Sequence, residues 1–291
     1  MRTLTYRAGK GDAGKRVGSV LLGPLEISHG LLSRLKRREN GICVNGQRVY
    51  TTHILQPGDV ITVRVGDGEP PRRLSPQPMD LFVVYEDEDL LVLDKPANVP
   101  VHPTKDPLER NLEQGLLASL STGEYPHFVS RLDKGTTGLM LVAKSGYVHE
   151  LMKRRLHTEA FHREYLAVAE GKVMPAAGTV DEPIGLADGS TYRHCVRVDG
   201  ADSFTAYMTL SVFNGRTLLR LTPKTGRTHQ LRVHMAYLGY PLTGDWLYGT
   251  RSDRIDRPAL HSARLVFDHP LTGERMAFDS PLPADMKKLL S

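Results

Sequence analysis

Two cysteines, Cys43 and Cys195, are all that the 291 residues contain. Far apart in sequence, they offer no disulfide framework and no cysteine-rich zinc site, and so few thiols fit a reducing cytoplasm. No apolar run approaches the length that crosses a bilayer. The N-terminal MRTLTYRAGKGDAGKR lacks the apolar segment of a secretory signal. The usual cradles of nucleotide cofactors, G-x-x-x-x-G-K and G-x-G-x-x-G, are missing as well. So is H-E-x-x-H: His149-Glu150 has no second histidine at the required spacing, and His229 and His234 diverge by roughly 140° around a helix. No G-x-S-x-G elbow marks a nucleophilic serine. A carboxylate nucleophile survives this elimination, and it needs neither metal nor cofactor.

What is present is ordinary in bulk and uneven in charge. Hydrophobic residues make up 40% and charged residues 24%, as in other globular chains. The length allows one large core or two unequal domains. Formal charge is +5. Between Ala13 and Gly66 stand Lys15, Arg16, Arg34, Lys36, Arg37, Arg38, Arg48 and Arg64 against Glu26, Glu39 and Asp59, so eight minus three accounts for +5 in this stretch alone. Such an excess invites a nucleic-acid partner. The spacing predicts a helix over Leu31–Arg38 with Arg34, Arg37 and Arg38 on one face. Two short strands follow around Asn45-Gly46, and a third spans Val60–Val65.

Residues 67–80, rich in proline, glycine and charge, read as a linker. Beyond it, Leu81–Tyr85 and Leu90–Leu93 predict a hairpin, and Asn111–Leu120 a short helix. Gly138–Ala143 reads as a buried strand, with a turn at Gly135–Thr137 ahead of it. That leaves Asp133 on a short loop at the mouth of a rigid element, either as a catalytic carboxylate or as the cap of its own turn. Ser145 predicts the start of the next helix, and Phe161–Ala169 a strand containing Tyr165. Residues 171–200 read as irregular. A hairpin follows around Asn214-Gly215. Thr228 is expected to cap a helix that buries Leu231, His234, Met235 and Leu238, with Arg232 bordering that face. Two strands close the chain, Leu260–Phe267 and Arg275–Phe278. Many short strands with few helices make an α+β chain whose sheet is mixed and mainly antiparallel.

The stretch SRLDKGTTGLMLVAKS (130–145) resembles the catalytic motif of the RluA-type pseudouridine synthases. Four further stretches match that family in order: residues 81–103 with Lys95-Pro96, Arg163-Glu164-Tyr165, PKTGRTHQLRVH (223–234), and Leu260–Ala263 with DHPLTG (268–273). Residues 13–66 are similar to an S-four-like module, the small α/β RNA-binding domain first seen in a ribosomal small-subunit protein. The resemblance implies an RNA-binding domain at 13–66 and a catalytic domain at 81–291 with the pseudouridine synthase fold. It also implies isomerisation of uridine in structured RNA, ribosomal or transfer, without a cofactor. Asp133 is then the catalytic aspartate, assisting by attack on C1′ or C6 or by removing a sugar proton. Arg232 is its basic partner, Tyr165 packs on the uracil, and Arg131 takes part in flipping the nucleotide. Arg163 and Arg227, with Arg34, Arg37 and Arg38, are the further RNA-binding candidates. Two positions depart from the family pattern: Ser130 replaces its histidine and Arg163 its lysine. Lys134 and Lys144 are expected to be solvated. A cytoplasmic monomer with no metal and no membrane contact is the expectation. A non-catalytic RNA-binding or assembly protein is the alternative, and a carboxylate-nucleophile hydrolase is disfavoured for want of a second placed acid.

Overall fold

The computed structural model describes residues 2–66, 75–106, 108–121, 124–156 and 158–290. Of the expected linker, 67–74 lie outside the described residues. Two sheets organise the chain. The smaller has four strands, β1 (Arg2–Arg7), β2 (Ile42–Val44), β3 (Gln47–Arg48) and β4 (Val60–Val65), in the order β1-β4-β2-β3. Helices α1 (Val17–Leu22) and α2 (His29–Arg37) pack on it through Val17, Leu21, Leu31 and Leu35. Because β1 pairs with β4 along its whole length, the four-stranded sheet takes in residues ahead of 13. The charge-based reading overlooked a strand that alternates polar and apolar residues. Arg38 is also corrected: it is the C-cap in extended backbone, so the helical face ends at Arg37.

The larger sheet has ten strands. In chain order they include β5 (Val83–Glu86), β6 (Leu90–Lys95), β7 (His127–Phe128), β8 (Thr137–Ala143), β9 (Phe161–Glu170) and β10 (Ala177–Asp181). A separate two-stranded ribbon, β11 (Ile184–Leu186) and β12 (His194–Val196), comes next. Then follow β13 (Phe204–Phe213), β14 (Arg216–Pro223), β15 (Leu260–Asp268) and β16 (Arg275–Asp279). The spatial order is β10-β13-β14-β9-β15-β8-β6-β5, with β16 beside β15 and β7 beside β8. Among these pairings only β15 with β8 is parallel. The stretch 171–200, expected to be irregular, therefore supplies an edge strand and the ribbon.

Helices α3 (Leu112–Ser119), α4 (Gly146–Arg155), α5 (Gln230–Tyr237) and α6 (Ala284–Lys287) surround this sheet. Side-chain caps start three of the six helices: Ser28, Asn111 and Ser145 each accept the amide of the residue three positions on. Both Asn-Gly turns adopt the paired positive φ of a tight hairpin, 50° and 80° at Asn45-Gly46 and 44° and 76° at Asn214-Gly215. Strand β8 is buried at all seven positions. Its Gly138 (φ 106°) lets it run against β15, since a Cβ there would lie 2.2 Å from the Ser262 carbonyl oxygen.

The two sheets are joined by packing as well as by the linker. Leu4, Val17, Ile27 and Val63 of the first belong to the same buried cluster as Leu90, Leu141, Val148 and Phe267 of the second. Polar contacts reinforce the joint: Tyr147 donates to the Leu25 carbonyl at 2.9 Å, Arg154 pairs with Glu26 at 3.1 Å, and Arg2 reaches Asp89. Lys144, expected to be solvated, is buried and pairs with Glu86 at 2.6 Å.

Buried histidines tie stability to pH. His234 holds Thr205 Oγ1 (2.9 Å) and the Glu182 carbonyl (3.0 Å); His261 holds Thr137 Oγ1 (2.9 Å) and the Ser280 carbonyl (3.2 Å). Burial pulls both below the ordinary histidine value of 6.5. The unfolded chain therefore binds more protons just below 6.5 than the folded one. Their contribution is fully present above that pH and is lost as pH falls towards the folded values. The urea midpoint should drop between about pH 7 and pH 5, and replacing both histidines by glutamine should flatten that dependence. An equally steep drop in the double variant would contradict the assignment.

Candidate active site

Asp133 sits on the loop entering β8, and alternation along the chain sets its direction. Leu132 turns into the core beside Tyr165 and Leu231, Arg131 is exposed, and Asp133 lines a cavity of about 300 Å³. The loop is gripped from behind by two buried basic side chains. Lys95, 1% exposed, donates to the carbonyls of Pro96, Val99 and Lys134, each at 2.9 Å. Arg257, also 1% exposed, donates to the Gly135 carbonyl at 3.2 Å while a bidentate pair with Asp285 (2.8 and 3.0 Å) anchors it. The Thr136 amide closes the turn on the Asp133 carbonyl at 3.0 Å. Burial pushes the Lys95 ammonium down to about 7, and the charge of Asp133 only partly opposes this.

Arg232 reaches the cavity from α5. It lies in the core, 6% exposed, rather than at its edge. Its principal partner is Asp245, fully buried, which takes Nε at 2.7 Å and Nη2 at 2.8 Å. The third nitrogen, Nη1, reaches Asp133 Oδ2 at 3.4 Å. Burial works against this charge, but the hydrogen bonds and charge of Asp245, with Asp133 adding, hold Arg232 above its ordinary value. The Tyr248 ring lies 5.0 Å from the guanidinium carbon.

Thr228 does not cap α5. The position belongs to His229, in left-handed backbone (φ 57°), and no side chain caps the helix there. Gln230 organises the turn instead. Its amide oxygen accepts from Thr225 Oγ1 (2.7 Å) and the Arg227 amide (3.0 Å), while its amide nitrogen donates to the Phe204 carbonyl (2.9 Å). Thr228 Oγ1 is left to receive Arg131 at 2.6 Å.

Tyr165, on β9 between β14 and β15, is 6% exposed and forms part of the cavity wall. Burial raises its phenol above the ordinary value, so it is neutral. Arg131, Arg163 and Arg227 also line the cavity, which brings six of the expected site residues together. Arg163 is no solvated charge: it is buried and braces the 225–226 turn by donating to the Thr225 carbonyl at 3.2 Å. Arg34, Arg37 and Arg38 belong to the small-sheet unit and do not line this cavity.

Sequence reasoning missed Asp245, Arg257 and the loop-gripping role of Lys95, and it weighed His229 only as a metal ligand. Among the described residues one trio could gather a metal ion, Asp87, Asp89 and His269. Arg2 already reaches Asp89, and Asp87 accepts from Tyr85 and two backbone amides. None of the trio lines the cavity.

Fold and site together describe an α+β enzyme that presents one carboxylate in a cavity rimmed by arginines. The family model for RNA pseudouridylate synthase matches residues 89–237. The RNA pseudouridine synthase YjbO of Bacillus subtilis is 38% identical, the match covering 92% of this chain and 96% of the relative. The ribosomal large subunit pseudouridine synthase D of Vibrio cholerae is 40% identical over 88% and 85% of the two chains. The solved human RNA pseudouridylate synthase domain containing 4 is 26% identical, with a TM-score of 0.58 over 71% of this chain and 90% of that one. The chain belongs to the RNA pseudouridylate synthase family and is an RNA pseudouridine synthase.

Replacing Asp245 by asparagine leaves the buried Arg232 without its main counter-charge. The variant should lose about 3–5 kcal/mol of stability in urea denaturation. A loss under about 1 kcal/mol would mean that the pair does not hold the site together.

Proposed function

We propose that the protein isomerises uridines in ribosomal RNA, with Asp133 as the carboxylate that assists cleavage of the N1–C1′ bond. Arg232 lies against that carboxylate at 3.4 Å and fixes its direction. Tyr165 packs on the uracil, and Arg131 at the mouth fills the space left in the stack by the flipped nucleotide. Arg227 positions the backbone at the rim, and Arg163 meets the RNA from the cavity wall behind it. Arg34 and Arg37, exposed on α2, contact phosphates farther along the RNA, and Arg38 adds charge at the helix end. The small sheet with its helices acts as the RNA-binding domain, and the larger sheet is the catalytic one. Transfer RNA is the second substrate class to assay.

The observation that carries this reading is the convergence of Asp133, Arg232 and Tyr165, from three separate elements, on one cavity. The choice of ribosomal RNA is supported by the relative from Vibrio cholerae, whose name assigns it to the large ribosomal subunit.

Asp133→Asn should lower the single-turnover rate on ribosomal RNA by at least about 1000-fold while binding is retained, because the amide is neither nucleophile nor base. Activity within a few-fold of the parent would sink the assignment. Arg34→Ala and Arg37→Ala should each weaken binding and reduce the log–log salt slope by roughly 0.7–0.9. An unchanged slope would remove α2 from the RNA contact surface.

A further inference from the structure

His229 is the strained residue of the cavity. Its φ of 57° lies in the left-handed region, which a side chain occupies only at a cost in energy. Glycine would sit there freely, yet the chain places an imidazole at the wall beside Asp133 and Arg232. Strain kept at a cavity wall points to work done by the side chain.

The neighbours of the ring determine what it offers. Nδ1 lies 2.9 Å from the Tyr248 hydroxyl. That oxygen already accepts the backbone amide of His194 at 3.1 Å. The phenol's own proton can then go to His229 Nδ1. With Tyr248 donating to Nδ1, the neutral ring carries its proton on Nε2. Burial keeps the imidazole neutral by pulling it below its ordinary value, against a smaller upward pull from Asp133. His229 lines the cavity and Tyr248 does not, and with Nδ1 turned to Tyr248 the Nε2 edge is left for the cavity. The Tyr248 and His194 rings pack edge-to-face with the imidazole, centroids 5.7 and 5.9 Å away, and hold its plane.

We propose that His229 donates its Nε2–H to a carbonyl oxygen of the target uracil, holding the base and stabilising the charge it gains as the glycosidic bond breaks. This rests on the reading of Asp133 as the carboxylate that assists that cleavage. When N1–C1′ breaks, the bonding pair stays with N1 and spreads onto O2 and O4. A neutral donor placed in advance stabilises that anion without neutralising Asp133. A donor at O4 would in addition select against cytosine, which carries an amino group at that position.

The test pairs variants with single-atom changes in the RNA. His229→Gly relieves the backbone and should fold, melting within about 4 °C of the parent. Its single-turnover rate at saturating RNA should fall on the order of 100-fold, while filter-binding affinity changes less than about 3-fold. His229→Asn tolerates the left-handed backbone and keeps an N–H donor, so it should recover part of the loss. In the parent, sulfur in place of the accepting oxygen, tested with 2-thiouridine and 4-thiouridine at the target, should slow the reaction. In His229→Gly that slowing should disappear for the one position that accepts the bond, which also identifies the oxygen. A folded His229→Gly within about 3-fold of the parent rate would overturn the proposal, as would thio effects that persist undiminished at both positions. An active Asp133→Asn would instead refute the reading beneath it, so the two failures are distinguishable.

Discussion

The buried fork of Arg232 between Asp245 and Asp133 is the constraint on which the site depends. A guanidinium taken out of water is costly unless its nitrogens are matched. Asp245 meets that demand with two short hydrogen bonds from a fully buried carboxylate. This leaves Nη1 with a fixed direction, towards Asp133. The geometry needs the planar fork of arginine: a lysine in the same place would carry the charge but could not divide it between two carboxylates along fixed lines. Asp133, less buried and held by a single longer contact, remains available to a substrate while its charge is matched from behind.

Backbone carbonyls supply the second half of that arrangement. Lys95, at the end of β6, and Arg257, ahead of β15, meet the carbonyls of Lys134 and Gly135. An Asp-containing turn on the surface would be mobile. Here the two residues that follow Asp133 are each bound to a buried basic side chain, and Leu132 before it is buried in the core. The close crossing of β8 and β15 at Gly138 brings Arg257, just ahead of β15, under the loop. Placement of the carboxylate is thus a property of the core, which suits a reaction that tolerates little error in the position of its reacting groups.

Much of this was legible in the sequence because it is local. Apolar runs, Asn-Gly turns and the Ser145 cap reveal eight of the ten strands of the larger sheet and helices α2 to α5 within a residue or two. The loop chemistry and the ordered motifs single out Asp133, Arg232 and Tyr165, which the folded chain brings to one cavity. What stayed hidden depends on long-range pairing. Asp245 lies in a turn with no periodicity, and only the folded chain brings its carboxylate to α5. Arg257 reads as one more charge in a polar stretch until it is seen 1% exposed. Thr228 has the right chemistry for an N-cap, but the Gln230 network and the left-handed His229 leave it outside the helix. Edge strands β1 and β10 escaped notice because each owes its conformation to a partner far along the chain.

The central claim is that Arg232 acts through the geometry of its fork as well as through its charge. Arg232→Lys separates the two, since it keeps the cation and discards the fork. The measurement is the single-turnover rate at saturating RNA, with folding checked by urea denaturation. The expected result is a folded protein slowed by at least about 100-fold, because a lysine held by Asp245 no longer directs Asp133. A folded lysine variant within about 3-fold of the parent would contradict the account, since charge alone would then suffice.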